Sequence, residues 1–258
     1  MNQPNRKEIK QKAKEIIKGK MWDIWKPLLI FLLILFVFVF IFVSFKIVEQ
    51  SNLLGVILIF ILCIVVFIFT LGYFSYIMKL IRGQEYSISD LFSFYKQKLG
   101  LSVLTQIVVS VIIYICSLIG TIAFSVIFLP ALVDVITFMT DISTISYNTL
   151  IITLVGKFLF SLLFFIPAVV VSLGYSMIHF LLIESNGNEK VINIVKNSWN
   201  LMKGHKWNYF VFILSFILWN LLGIITFGVA FIYVLPYLSV SHVLYYEELR
   251  KNNMYNIK

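Results

Sequence analysis

Five long apolar runs dominate the chain: Pro27–Val48, Leu53–Ile81, Leu101–Leu129, Leu150–Ile183 and Trp207–Tyr246. A helix needs about 20 mostly apolar residues to cross the ~30 Å hydrocarbon layer of a bilayer, and inside that layer each backbone polar group must be bonded by the protein itself. Runs of this length therefore dictate membrane-spanning helices. Composition agrees: 60% of the residues are hydrophobic and only 13% are charged, against about 25% charged in an ordinary soluble domain. A soluble enzyme, a disordered chain and a disulfide-stapled secreted module are all excluded. The two cysteines, Cys63 and Cys116, each sit inside an apolar run and read as small buried hydrophobes.

The last run, 40 residues long, is too long for one span. It is expected to break at Gly223–Gly228, where two glycines bracket Thr226, leaving a short penultimate helix over about 207–222. Pro130 is expected to end span three and Pro167 to kink span four. The run Pro27–Val48 exceeds a signal-peptide core and lacks a small-residue cleavage site, so it reads as an uncleaved span. The result is an all-α polytopic bundle of six transmembrane helices. Charge sets its orientation. With the N-terminus inside, segments 1–26, 79–100, 184–207 and 247–258 hold 8, 4, 4 and 3 basic residues, or 19 of 21. The outer loops carry Glu49, Asp134 and Asp141, and Lys46 stands at the end of span one. Positive charge collects on the cytoplasmic side of membrane proteins, so both termini are expected in the cytoplasm of a plasma membrane. Lysine-rich, AT-biased composition suggests a bacterium.

Residues 1–26 read as an interfacial amphipathic helix. Ile9, Ala13, Ile16, Ile17, Ile24 and Trp25 recur at helical spacing, and Lys7, Lys10, Lys14 and Lys18 fill the remaining surface, the pattern of a helix lying on anionic lipid. The chain also repeats itself. Leu71-Gly72-Tyr73, Leu173-Gly174-Tyr175 and Leu235-Pro236-Tyr237 each stand about nine residues before a cytoplasmic helix end, and Lys18-Gly19-x-x-Trp22 matches Lys203-Gly204-x-x-Trp207. The 258 residues thus form a single membrane domain of three repeat-like units, about 1–84, 85–187 and 188–258. Each unit would be an interfacial helix followed by a transmembrane hairpin. Glycine or proline at matched depth lets neighbours approach or the helix kink.

Arg6-x-Glu8-Ile9-Lys10-x-x-Ala13-Lys14, the Lys-Gly-x-x-Trp junctions, Ser198-Trp199-x-Leu201-Met202-x-Gly204, and Pro236-Tyr237 followed by Tyr246-Glu247-Glu248-Leu249 resemble a family of uncharacterised bacterial integral membrane proteins, domain of unknown function 975. The resemblance covers nearly the whole chain. It implies six spans and a mostly Gram-positive origin, with a distant likeness to the membrane domains of some glycerophosphodiester phosphodiesterases. It brings no activity or catalytic residues, and no soluble hydrolase domain is present here.

Candidate sites are few. Tyr73, Tyr175 and Tyr237 could line a central crevice around a pseudo-threefold axis, or be satisfied by nearby backbone or the interface. Lys157, roughly 10 Å into span four, either snorkels or pairs with Asp134 or Asp141, or else it lines an outward-open pathway. His179 and His242 lie at equal depth and could face each other above Glu184, Glu247 and Glu248, yet neither has a helical ligand partner, so no metal site is assigned. His205, between Lys203 and Lys206, is expected at the headgroups. Ser110, Ser117, Thr121 and Ser125 form a small-polar stripe that reads as a packing seam, with a water-lined path as the alternative. No catalytic constellation and no cofactor motif occurs.

The reading from sequence is a non-catalytic membrane protein that binds lipid or a membrane partner. Lys7, Lys10, Lys14, Lys18, Lys203 and Lys206 would hold anionic inner-leaflet headgroups, and nucleic acid is not a partner. Envelope homeostasis, or protection against membrane-active peptides, would be its role. The alternatives are a small-molecule transporter or channel and a lipid-acting membrane enzyme.

Overall fold

The computed structural model describes residues 3–44, 53–93, 98–140 and 146–255. Its elements are α1 (Arg6–Ser44), α2 (Leu53–Arg82), a 3-10 turn (Ile88–Phe92), α3 (Leu99–Thr140), α4 (Tyr147–Leu162), a 3-10 turn (Leu163–Phe165), α5 (Ile166–Gly174), α6 (Ile178–Glu184), α7 (Val191–Leu201), α8 (Lys206–Leu214), α9 (Ile217–Ile225) and α10 (Phe231–Tyr255). Among the described residues there is no strand. Five stretches are long and apolar enough to cross a membrane: Arg6–Phe40, Ile57–Arg82, Leu99–Thr140, Tyr147–Glu184 and Lys206–Ile225. α10, 25 residues long, has the length but a more polar composition. Glu49, Lys46 and Asp141 lie outside the described residues.

The chain divides into two compact units. One comprises Met1–Thr105 with Met177–Lys258, the other Gln106–Ser176. This division runs across the three repeat-like units instead of along them.

In the first unit α1 packs lengthwise on α10 and also meets α2, which in turn touches α6 and α10. The apolar stripe of the N-terminal segment is spent on this packing. Ile9, Ala13, Ile17 and Ile24 are buried within the protein, so that face meets protein where the pattern suggested lipid. The helix bends at Lys20 (φ −130°, ψ 21°), one residue after Gly19. The matching junction of the third repeat-like unit is a turn between α7 and α8 at Gly204, whose φ of 82° favours glycine. Both Lys-Gly-x-x-Trp motifs therefore mark a change of helix direction.

The prolines show how this fold handles lost backbone bonds. Proline has no N–H, so the carbonyl four residues earlier loses its donor. For Pro27 that carbonyl is Asp23 O, which accepts from Tyr76 Oη of α2 at 3.1 Å. For Pro236 it is Ile232 O, which accepts from Trp25 Nε1 at 2.8 Å. Both prolines thereby tie α1 to a neighbouring helix. Gly72 serves close approach: a Cβ there would lie 2.1 Å from Leu91 O, so only glycine lets the 3-10 turn sit on α2.

The predicted break in the last run occurs where expected. α9 ends at Ile225, Gly228 N donates to Gly223 O at 2.8 Å, and α10 starts at Phe231. Gly223 faces the Phe231 ring, which a Cβ would meet at 2.5 Å. The penultimate span, however, is longer than expected. It reaches Ile225 and is divided into α8 and α9 at Ser215–Phe216, covering 20 residues from Lys206.

In the second unit Pro167 stands in the first turn of α5, directly after the 3-10 turn Leu163–Phe165, which confirms an interruption in span four. Pro130 behaves differently from expectation. It lies inside α3, which runs on to Thr140, because one missing hydrogen bond does not end a helix whose other bonds persist. The small-polar stripe is self-satisfied: Ser117, Thr121 and Ser125 donate to carbonyls three or four residues back in their own helix. Gly120 lies against the Phe165 ring, 2.7 Å from where its Cβ would stand, which fits a packing seam.

Candidate functional site

In the first unit an ion-pair cluster forms where α2 and α6 end beside the C-terminal half of α10. Arg82 closes α2, and its guanidinium reaches Glu184 at 2.5 Å and Glu247 at 2.6 Å. Arg250 also reaches Glu184, at 2.8 Å, and Tyr246 Oη donates to the other Glu184 oxygen at 2.8 Å. The Tyr246 ring stacks on Phe180, centroids 4.7 Å apart. Two arginines balance two carboxylates, and Glu184 has its acceptor sites filled from three directions. Beside the cluster Lys98 caps the end of α6 by donating to the carbonyls of Ile183 (3.1 Å) and Ser185, favourable placement for a cation at a helix C-terminus. Burial nonetheless lowers the Lys98 pKa.

Sequence reasoning placed Glu184 and Glu247 near one another but missed Arg82 and Arg250 as their partners. A usable signal existed. Counting nine residues on from Tyr73, Tyr175 and Tyr237 lands on Arg82, Glu184 and Tyr246. Of these three matched positions, Arg82 and Tyr246 both bond Glu184.

One to two turns farther into the helices stand His179 and His242, close enough to interact electrostatically. His179 packs against the rings of Phe67 and Phe74 at 5.6 and 6.4 Å. His242 lies between Tyr209 and Phe212 at 6.0 and 5.9 Å, its Nε2 buried without a hydrogen bond. Among the described residues no three His, Cys, Asp or Glu side chains converge as metal ligands.

Of the candidate crevice tyrosines, Tyr73 and Tyr237 lie in the first unit and Tyr175 in the second. Tyr73 is buried in the first unit beside Ser239 of α10, its hydroxyl without a hydrogen bond in good geometry. Tyr237 is buried among Phe216, Trp219 and Tyr233. Tyr175 belongs to the second unit, in the turn after α5. Lys157, also in the second unit, pairs with Asp134 at 3.0 Å, one of the two partners foreseen.

The basic residues differ in exposure and in aromatic contact. Lys7, Lys14, Lys18 and Lys203 are exposed. Lys10 is half-buried with its ammonium 4.6 Å from the Phe216 ring centre, and Lys14 reaches over Tyr237 at 5.8 Å. Lys206 lies over the Trp199 ring at 3.1 Å. Each of these three makes a cation–π contact. His205 does not face headgroups: it is 2% exposed with Nδ1 unpartnered, and burial holds its pKa below the usual imidazole range. By contrast, the junction tryptophans Trp22 and Trp207 are 67% and 74% exposed. Glu8 and Lys12 pair on the open face of α1 at 2.6 Å.

A polar pair also pins the 3-10 turn. Asp90 binds Lys79 at 2.7 Å and accepts from the Ser87 backbone at 2.9 Å. Partial burial opposes ionisation of Asp90, yet these two bonds outweigh it and leave the carboxyl below its ordinary range.

Five long apolar helical stretches and prolines tied across helices define a multi-pass, all-helical membrane protein. Residues 1–253 match the model of one family, described as protein of unknown function (DUF975), and the chain belongs to that family. No curated protein and no solved structure matches it.

Proposed function

We propose that this protein is a non-catalytic, six-span protein of a bacterial plasma membrane whose inner surface binds anionic lipid headgroups, with both termini in the cytoplasm. The reading rests chiefly on the two Lys-Gly-x-x-Trp junctions. In each, a change of helix direction leaves the lysine and the tryptophan exposed together. Tryptophan favours the membrane–water boundary, and lysine beside it meets lipid phosphate. Because the apolar stripe of α1 is buried against α10, attraction at this surface comes from Lys7, Lys14, Lys18 and Lys203 and from the two indoles. Envelope homeostasis is the role we assign to this surface.

The test is lipid selectivity. Protein reconstituted in mixed phosphatidylglycerol–phosphatidylcholine vesicles is extracted in mild detergent, and retained lipid is measured by mass spectrometry. Each lysine near an anionic surface contributes ~1 kcal/mol. Replacing Lys7, Lys14, Lys18 and Lys203 by Gln should therefore reduce phosphatidylglycerol enrichment by roughly tenfold or more. Unchanged enrichment overturns the reading. Labelling by an impermeant reagent of a tag placed after Lys258, from outside intact cells, would overturn the orientation.

A further inference from the structure

On the first unit a groove of about 400 Å³ runs along α2, lined by Leu62, Cys63, Val66, Phe67, Thr70 and His179. All but one of these side chains come from the most hydropathic of the five candidate spans. The hydroxyl of Thr70 is already used, donating to Val66 O at 2.8 Å. Apart from the weakly bonding Cys63 thiol, His179 is thus the side chain in the lining with hydrogen-bonding capacity unspent: it packs on aromatic rings beside His242, and no hydrogen bond to it is seen among the described residues. An imidazole held among apolar groups without a partner is costly and calls for a polar atom from elsewhere.

Depth identifies that atom. His179 precedes Glu184 by five residues, ~7.5 Å along a helix, and Glu184 lies in the charged cluster at the helix ends. The imidazole therefore stands just below the level of headgroup charge, where a phospholipid carries its ester carbonyls. From there the groove leads away from the charged end toward Leu62, ~12 Å farther along α2 than Thr70, the direction in which an acyl chain descends. Its volume falls within the range of small-ligand sites.

We infer that this groove holds one acyl chain of an ester-linked phospholipid from the leaflet on the Arg82–Glu184 side, with His179 donating a hydrogen bond to the ester carbonyl. The inference deepens the lipid-binding reading but uses a different part of the molecule. The basic surface selects headgroup charge; the groove selects chain linkage and is indifferent to charge.

The experiment uses the full chain in vesicles of neutral phosphatidylcholine bearing a mid-chain diazirine, in ester-linked and ether-linked forms. After photolysis the cross-linked peptides are mapped by mass spectrometry. The wild type should concentrate cross-links on residues 62–70 over 57–61 and favour the ester lipid by roughly two- to tenfold, the worth of one hydrogen bond. Val66→Trp, which fills the groove, should abolish this concentration, and Cys63→Trp should do the same should Val66→Trp fold poorly. His179→Phe should keep the chain contacts and lose the ester preference. Cross-links spread evenly over 57–70, insensitivity to both tryptophan variants, or equal capture of ester and ether lipid by the wild type would each overturn the inference. The lysine variants should leave all these readouts unchanged, so failure of the headgroup reading and failure of the groove are told apart.

Discussion

Replacing Arg82 by Gln removes the group that joins α2 to both α6 and α10. Loss of one partner from a fully buried pair costs 3–5 kcal/mol, whereas an exposed pair contributes 0–1 kcal/mol. The Arg82, Glu184 and Glu247 side chains are 28%, 20% and 18% exposed, between those limits, so the expected loss is ~2 kcal/mol. The remaining charges sharpen the prediction. In Arg82→Gln, Glu184 keeps Arg250 and Tyr246, but Glu247 is left near it without a cation. Removing that second carboxylate restores balance, and Arg82→Gln/Glu247→Gln should recover ~1 kcal/mol relative to the additive sum of the single changes. Glu184→Gln should be the most damaging single change, since both arginines lose the charge they share and one of the two acceptor oxygens used by Arg82, Arg250 and Tyr246 becomes a donor. The assay is unfolding free energy from denaturing-detergent titration of the reconstituted protein. Strict additivity of Arg82→Gln and Glu247→Gln would refute the argument.

Other consequences can be checked in the same assay. Trp25→Phe should cost about 1 kcal/mol by leaving Ile232 O without a donor, and little in a Pro236→Ala background, where the backbone N–H regained at that position can take the place of the indole. Gly72→Ala should be destabilising by about 3 kcal/mol, because its Cβ meets backbone and not a side chain that can swing away. Gly19→Ala, with nothing within 4 Å of its Cβ, should be neutral or stabilising. Asp90→Asn should destabilise at neutral pH. Because the Asp90 carboxyl titrates below its unfolded value, its contribution is full above the ordinary aspartate range and is lost as pH falls through the depressed folded-state value. The gap between wild type and Asp90→Asn should therefore close on acidification, and a gap that widens would contradict the assignment.

Apolar run length was enough to read helices and membrane, and the glycine pair around Thr226 and the proline at 167 were enough to read two interruptions. Pro130 read as a helix end and Pro167 as a kink, yet α3 continues through Pro130; one missing donor is a local loss, and a helix whose other bonds persist runs on. The stripe Ile9–Ala13–Ile17 named the face of α1 that leaves water but not the surface that receives it. Lipid tails and the apolar side chains along one face of α10 can both receive such a stripe, so periodicity cannot tell them apart. Arg82 and Arg250 were invisible as partners for a related reason: charge counting assigns a side of the membrane, whereas pairing depends on which helix ends meet.

The three residues that stand nine places beyond the repeated tyrosines have one further implication. A guanidinium, a carboxylate and a phenol complete one another. Three copies of any one of them, brought to the same point, would repel or leave bonding capacity idle. If these segments descend from one ancestral segment, divergence at that single position was a condition for their helix ends to close on one another as they do here.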